Sequence, residues 1–533
     1  MRQSGLPVAA VVVVVAAIAG GVLGDRVGAA NDRVTERYRL FATALATVER
    51  EYVETADTED LVYGAIDGML RTLDPHSSFF DPRQYKNLRE RQEGTYYGLG
   101  LSIVVVNGDI TVTNLFEGSP AYRAGIRRGD VIAVIKGQSA KGWTSDQAVN
   151  ELRGAKGTTV KISIRRVGVE ALIPLEVERD AINITTVRTA FMIAPGTGYI
   201  RLQDFSETTD REVGEALKKL QGEGMQRLVL DLRDNPGGPL DQAIAVSNRF
   251  LKRGQMIVYT RGRVPNSDED YLAVAQGDTT TPLIVLVNRN SASASEIVSG
   301  AMQDHDRGLV VGETSFGKAL VQSVYRLANG AGLALTTGRY YTPSGRMIQR
   351  PWDGTFDEYL TYAQRDQAAD REHQADQLKL TDGGRKVYSG GGIEPDHFLA
   401  GPVEGFNPAR FSRQLLTRGF FVGFAERFTA EGDARPASAS AASHRVTRGF
   451  AVTDAMLAEF VTYLKDQRVK VEDAAITADA TFLRAMIKYE VDLDLFGVEE
   501  ARRNLTRVDP QAQFALQFFP QAQQLVAGSV KRP

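Results

Sequence analysis

Cysteine is absent from the 533 residues, so neither a disulfide nor a thiolate metal site can form. Histidine is nearly as scarce, with five copies, and His373 and His397 lack ligand-like partners nearby. No metal or other cofactor is therefore expected. Charge of one sign is also lacking: 63 basic against 66 acidic side chains leave a net charge of −3. That balance gives no basic field for nucleic acid. Hydrophobic content of 43% is ordinary, and the length suits three or four domains with a substantial core.

Long apolar runs are missing except at the amino terminus. After Met1 and Arg2, the nineteen residues from Leu6 to Gly24 carry no charge and include V-V-V-V-V. That length just spans a bilayer and exceeds the apolar region usual in a cleaved signal. An uncleaved anchor with the body outside the cytoplasm is the expectation. Ala17-Ile-Ala19 and Gly28-Ala-Ala30 keep a cleaved signal as the alternative.

What is present centres on Asn288 to Gln322. The run Leu283–Val287 is short, unbroken and β-branched, as a strand buried on both faces should be. N-R-N-S-A-S-A-S-E-I-V-S-G follows, and Ile297, Val298, Ala301 and Met302 then recur at helical spacing. A strand-to-helix turn aims backbone N–H groups and the positive helix end at one point, which suits a nucleophile whose product is an oxyanion. Ser291, Ser293 and Ser295 are the candidates. A serine needs a base. His305 lies about three turns along the helix, so Lys318 is the better choice, because a lysine among apolar neighbours can act as a general base. G-E-T-S-F-G-K-A at Gly312–Ala319 is one residue short of a phosphate loop. Ala319 lacks the magnesium-binding hydroxyl, and a strand-like run follows where a helix is required.

S-A-S-A-S-E-I followed by S-F-G-K-x-x-V-Q resembles the core of the carboxy-terminal processing proteases, the S41 serine peptidases with a Ser–Lys dyad. The resemblance implies Ser293 as nucleophile, 25 positions before the base Lys318, with Gln322 orienting the lysine. Ser291 and Ser295 then remain as turn and cap residues. D-L-R-D-N-P-G-G at Asp231–Gly238 resembles the family's oxyanion loop, implying N–H donors from Ala294 and from Gly237 or Gly238. R-Y-Y-T-P-S-G-R-M-I-Q, G-G-G-I-E-P-D and the segment Leu61–Phe80 carry the likeness further. Y-G-L-G-L-S-I and G-S-P-A-Y-R-A-G-I-R-R-G-D-V-I are similar to a PDZ domain. Such a domain takes a peptide as an added strand and holds its carboxylate on loop N–H groups, here Gly98, Leu99, Gly100 and Leu101.

The expected fold class is α/β and multidomain. Residues 1–30 form the anchor or signal and 31–92 a helical segment, with Tyr38, Phe41, Leu45, Val48 and Tyr52 as an apolar stripe packed in a local hairpin. The PDZ domain, a small β-rich barrel with helices, covers 93–181, with Ser145 as a helix cap. An α/β peptidase core with a mostly parallel sheet covers 182–400. A helical extension covers 401–533, with a linker at 435–443. The aromatic tail F-A-L-Q-F-F-P is expected by default in the extension's own core, with capping the enzyme, binding a partner or dimerising as the alternatives.

The resemblance implies an exported serine endopeptidase of the cell envelope, acting on proteins with free unfolded carboxyl termini. The alternative is an envelope PDZ adaptor whose peptidase fold is silent or latent. Partner binding or homo-oligomerisation through the helical termini is a further expectation.

Overall fold

Strand Leu283–Val287 sits in the middle of a six-stranded sheet and is buried at every residue. The strand order is Val187–Ala194, Thr197–Leu202, Arg227–Asp231, Leu283–Val287, Leu309–Gly312, His397–Phe398. The first pair is antiparallel and all the others are parallel, so the mostly parallel core expected from alternating strands and helices is what the chain adopts. The computed structural model describes residues 34–166, 168–265, 267–352, 359, 361, 373–401, 410–429 and 446–530. The expected anchor at 1–30 and linker at 435–443 lie outside them. Among the described residues, no helix is long and apolar enough to cross a membrane.

Successive side chains of these strands serve opposite faces. Leu228, Leu230, Leu283, Val285, Val287 and Val310 join a core with helices Thr209–Gly222, Leu240–Asn248 and Ala294–Asp304. Val229, Ile284, Leu286, Leu309 and Val311 meet Ala512, Ala515, Phe519 and Ala522 on the other face. Each such aliphatic side chain contributes about 1.5–3 kcal/mol by leaving water. The aromatic tail thus caps the peptidase sheet and not the extension's own core, which corrects the default expectation in favour of the capping alternative. The reason is demand: a parallel sheet needs cover on both faces, and helices Pro510–Leu516 and Phe519–Val530 supply it on the second. The extension's separate core is built from Phe421, Phe424, Phe428, Phe460, Leu483 and Ile487.

The chain divides into two units, residues up to 81 with 324–334, and the remainder. In the first, a helix over 34–51 precedes helix Thr58–Arg71, and strand Ser78–Phe80 pairs antiparallel with residues 332–334. The packed hairpin expected here needs correction. Tyr38, Phe41, Val48 and Tyr52 are exposed and only Leu45 is half-buried, because among the described residues nothing covers the stripe.

In the second unit, an antiparallel sheet runs in the order Leu101–Val106, Asp109–Leu115, Val131–Ile135, Thr159–Arg165, Ile173–Glu178. Helix Ser145–Leu152 packs beside it. Its cap is Thr144, one residue earlier than expected. Thr144 and Gln147 form a reciprocal capping box, which Ser145 has no partner to match.

Candidate active site

Three serines compete in the turn after Leu283–Val287, and their hydroxyls separate them. Ser291 Oγ donates to Leu232 O at 2.8 Å and accepts from Asn288 N. Ser295 Oγ donates to Asn235 O at 3.0 Å. Both residues are fully buried, and both tie this turn to the loop after the neighbouring strand. Ser293 stands between them, half-buried, at φ 54° and ψ −112°. A non-glycine residue held there costs about 1–3 kcal/mol and persists only where its surroundings enforce it. Helix Ala294–Asp304 begins at the next residue, so the Ala294 N–H is the first of the helix and has no intrahelical acceptor.

The loop Asp231–Gly238 lies against this turn. Asn235 is fully buried, and its Nδ2 donates to Leu202 O while its main-chain oxygen accepts from Ala292 N. Gly237, at φ 93°, approaches so closely that a Cβ added to it would stand 2.8 Å from both Ala294 N and Ser293 Cβ. Only glycine fits. The two glycines differ in their amides. The Gly237 N–H is donated to Asn235 Oδ1 at 2.9 Å, whereas the Gly238 N–H meets no acceptor among the described residues. Gly238 is itself pressed onto Phe205, where a Cβ would lie 2.2 Å from the Phe205 oxygen.

Lys318 lies half-buried in the glycine turn before strand Leu320–Arg326, and its Nζ donates to Gln322 Oε1 at 3.0 Å. A strand after this lysine, where a phosphate loop needs a helix, removes the nucleotide-binding reading.

Sequence reasoning missed the group that joins the two turns. Glu296 is completely buried, and its Oε2 accepts from both Ser293 N and Lys318 N at 2.8 Å. One carboxylate oxygen therefore holds the backbones of both residues. Its Oε1 accepts from Gly317 N at 2.6 Å and Ser315 Oγ at 2.5 Å. Burial pushes the Glu296 carboxyl up to about 7, against the pull of these four donors. Tyr340 adds a second link, its hydroxyl 2.7 Å from Lys318 O and 3.2 Å from Ser293 O. The S-x-x-E spacing after Ser293 was the available signal, since it matches a capping box.

His305 ends the helix far from the turn, with Nδ1 against Asp382 and Nε2 against Met256 O. His373 stacks on Tyr388 and His397 on Phe518. Among the described residues, no group of three or more metal-ligating side chains converges.

Gly98–Leu101 is the short link between strand Thr95–Gly98, which pairs with Asp180–Asn183, and strand Leu101–Val106 of the antiparallel sheet. Gly100, at φ 75°, would place a Cβ 2.3 Å from Ser119 Cβ, and its oxygen accepts from Phe116 N and Ser119 Oγ. The Leu99 and Gly100 N–H groups meet no acceptor among the described residues. Strand Leu101–Val106 continues from them as an edge, paired on one side only. A buried donor without an acceptor is costly, which suits a site that waits for a ligand.

A mostly parallel sheet with a strained serine at a strand-to-helix turn, a lysine turn tied to it through Glu296 and a separate antiparallel sheet with an open edge suit a hydrolase with a recognition module. The comparisons agree. The model of Peptidase family S41 matches residues 196–355, the PDZ domain model 88–165, and that of the activating protease CtpB N-terminal domain 25–83. A carboxy-terminal-processing protease of Bartonella bacilliformis is 40% identical over 335 residues, covering 62% of this chain and 76% of the relative. The carboxy-terminal processing protease CtpA of Bacillus subtilis is 34% identical over 330 residues, covering 62% and 70%. Among solved structures, a photosystem II D1 C-terminal processing protease matches with 29% identity and a TM-score of 0.34, covering 67% of this chain and 86% of that one. The chain belongs to the carboxy-terminal processing proteases of peptidase family S41, and it carries a PDZ domain.

Proposed function

We propose that the chain is an exported serine endopeptidase that selects substrates by their free carboxyl termini. Ser293 Oγ attacks the scissile carbonyl carbon while the neutral Lys318 amine takes its proton. Gln322, bonded to that amine at 3.0 Å, holds it in line. The tetrahedral oxyanion is received by the N–H groups of Ala294 and Gly238. Of the two glycines, Gly237 has already committed its N–H to Asn235. Collapse expels the amine, which takes the proton from Lys318. Water then attacks the acyl-enzyme, with Lys318 as base, and restores the serine.

The observation that carries this reading is the difference among the three serines. Two hydroxyls are spent on buried backbone oxygens, and the third stands on a strained residue at a helix start, tied through Glu296 to the lysine turn. For selection, a substrate tail adds to the open edge Leu101–Val106, and its carboxylate takes the Leu99 and Gly100 N–H groups. The division proposed is an anchor or signal at 1–30, a helical segment at 31–92, PDZ at 93–181, peptidase at 182–400 and extension at 401–533. The body would lie on the extracytoplasmic side of the envelope.

The test uses the full-length chain in detergent, with its Ser293→Ala variant, and an unfolded protein ending in a free apolar carboxyl terminus. Fragments are expected from the first alone. Equal cleavage by both would remove Ser293 from the mechanism, and tail binding without cleavage by either would favour an adaptor.

A further inference from the structure

The C-terminal helices reach the catalytic loop through one arginine. Arg233 opens the loop that ends at Gly238, and it is nearly buried. The inner side of its guanidinium faces Asp231, with Nε 3.0 and 3.1 Å from the two oxygens and Nη2 at 2.7 Å. Asp231 is fully buried and also receives Tyr199 Oη at 2.5 Å. The outer side of the guanidinium is taken by the C-terminal extension. Gln511 Oε1 accepts from Nη1 at 3.0 Å, and Asp509 Oδ2 pairs with Nη2 at 2.7 Å.

Both partners are fixed in turn. Asp509 Oδ1 caps helix Pro510–Leu516 through Gln511 N and Ala512 N, and Gln511 Nε2 donates to Leu399 O. The following helix is seated on the sheet through Phe519 and Ala522. Two helices earlier, Glu490 and Asp494 hold Arg128 of the PDZ domain, Asp494 at 3.1 Å. Asn504 bonds Asp492 and Glu500, joining helix Ala480–Phe496 to helix Val498–Val508. The last helices of the extension are thus anchored at two places, on the PDZ domain and on the peptidase sheet.

We infer that Asp509 and Gln511 are positioning residues for the oxyanion loop, acting through Arg233 from behind the sheet. The inference rests on the reading of Ser293 and Gly238 given above. Its physical basis is satisfaction of a buried cation. Without Asp509 and Gln511, the outer N–H groups of Arg233 would be buried and unpaired, a cost large enough to turn the side chain toward water. The Arg233 N–H is bonded to Asp231 Oδ1 at 2.9 Å, and Asp234 N, the next residue's, to Asn288 Oδ1 at 2.9 Å. A shift of Arg233 is therefore passed into the short segment that presents the Gly238 N–H. Oxyanion donors work only at a defined position, and misplacement by about 1 Å can cost on the order of 100-fold. Residues 509 and 511 lie beyond the matched peptidase and PDZ segments, so neither match assigns them a role.

The experiment compares full-length wild type, Asp509→Ala, Asp509→Glu, Gln511→Ala and Ser293→Ala on a quenched fluorescent peptide with a free carboxyl terminus. Melting and tail-peptide binding report folding. Asp509→Ala should lower kcat roughly 10- to 100-fold with KM nearly unchanged, and should bind a peptidyl boronate, which becomes tetrahedral on the serine, correspondingly less tightly. Asp509→Glu should recover most of the kcat. Gln511→Ala, the milder change, should lose several-fold, and it decides the matter if Asp509→Ala does not fold. Wild-type kcat in folded Gln511→Ala and Asp509→Ala would overturn the inference, as would a raised KM at constant kcat. Activity persisting in Ser293→Ala would instead overturn the underlying assignment of the nucleophile.

Discussion

Two turns in this protein hold backbone N–H groups that meet no acceptor among the described residues, and they are built in opposite ways. The turn at Ser293 is enclosed. Glu296, Asn235 and the flanking serines tie its backbone to neighbouring turns, and the Ala294 and Gly238 amides meet no acceptor among the described residues. The loop at Gly98–Leu101 opens onto an edge strand and is braced chiefly by Ser119 and Phe116. Under the proposed function, the difference follows from what each would receive. A tetrahedral oxyanion lives at one point, so its donors need a fixed frame. A peptide tail brings its own backbone as a strand, so the receiving edge must stay unpaired.

The sharpest way to break the contrast is to damage the frame and leave the edge alone. In Glu296→Gln, one accepting oxygen becomes an NH2 facing N–H groups that now lack an acceptor, at a cost of about 1–3 kcal/mol. The Ser293 and Lys318 turns lose their common tie. Turnover should fall by about 100-fold while tail binding to the PDZ loop holds. A kcat within twofold of wild type would mean that Tyr340 alone sets the spacing of the two turns.

The reverse damage should be smaller and of another kind. Gly100→Ala puts a methyl where Ser119 Cβ would be 2.3 Å away, at a φ of 75° that alanine resists. The loop must shift, and the carboxylate loses alignment with its donors. For a peptide with a free carboxyl terminus, KM should rise about tenfold with kcat little changed. An amidated peptide should be cleaved equally poorly by both proteins. A fall in kcat at constant KM would show that the loop serves the peptide-cutting site directly.

How much of this was legible beforehand depended on whether it was local in the chain. Strand Leu283–Val287 and the helix after Ser293 follow from apolar pattern, and Lys318 and Gln322, which meet, lie only four positions apart across a turn and strand start. The spacing that the family resemblance supplies picks Ser293, but the physical reason why the other two serines are occupied was not readable. It rests on acceptors at Leu232 and Asn235, about 60 positions away, that only the sheet brings near. Glu296 goes unnoticed in the sequence, and its S-x-x-E spacing would read only as a capping box, because a capping box and a two-turn clamp share it. The aromatic tail resembled a small domain's core, since no pattern tells an apolar helix which open face it will cover. The stripe at Tyr38–Tyr52 has good helical periodicity, yet periodicity states only that a face is apolar, not that it is covered.

The smallest effect concerns what the enclosed frame costs. Burial raises the Glu296 carboxyl to about 7, above the ordinary unfolded value near 4.3. Between those values the folded chain holds a proton that the unfolded chain releases, so stability falls as pH rises from about 4.5 to 7 and changes little beyond. The loss attributable to this group is on the order of 3 kcal/mol at most. With only two tryptophans present, a Trp143→Phe background leaves Trp352, which lies edge-on to Tyr359 in the peptidase core, as the reporter of unfolding. Denaturant midpoints at pH 5 and pH 8 should drop more in this background than in the same background carrying Glu296→Gln, which cannot ionise. Equal drops would assign the titration to another group. The ionised carboxylate is the form that accepts all four hydrogen bonds, so the working site is the less stable one, whereas the open PDZ edge carries no such buried charge.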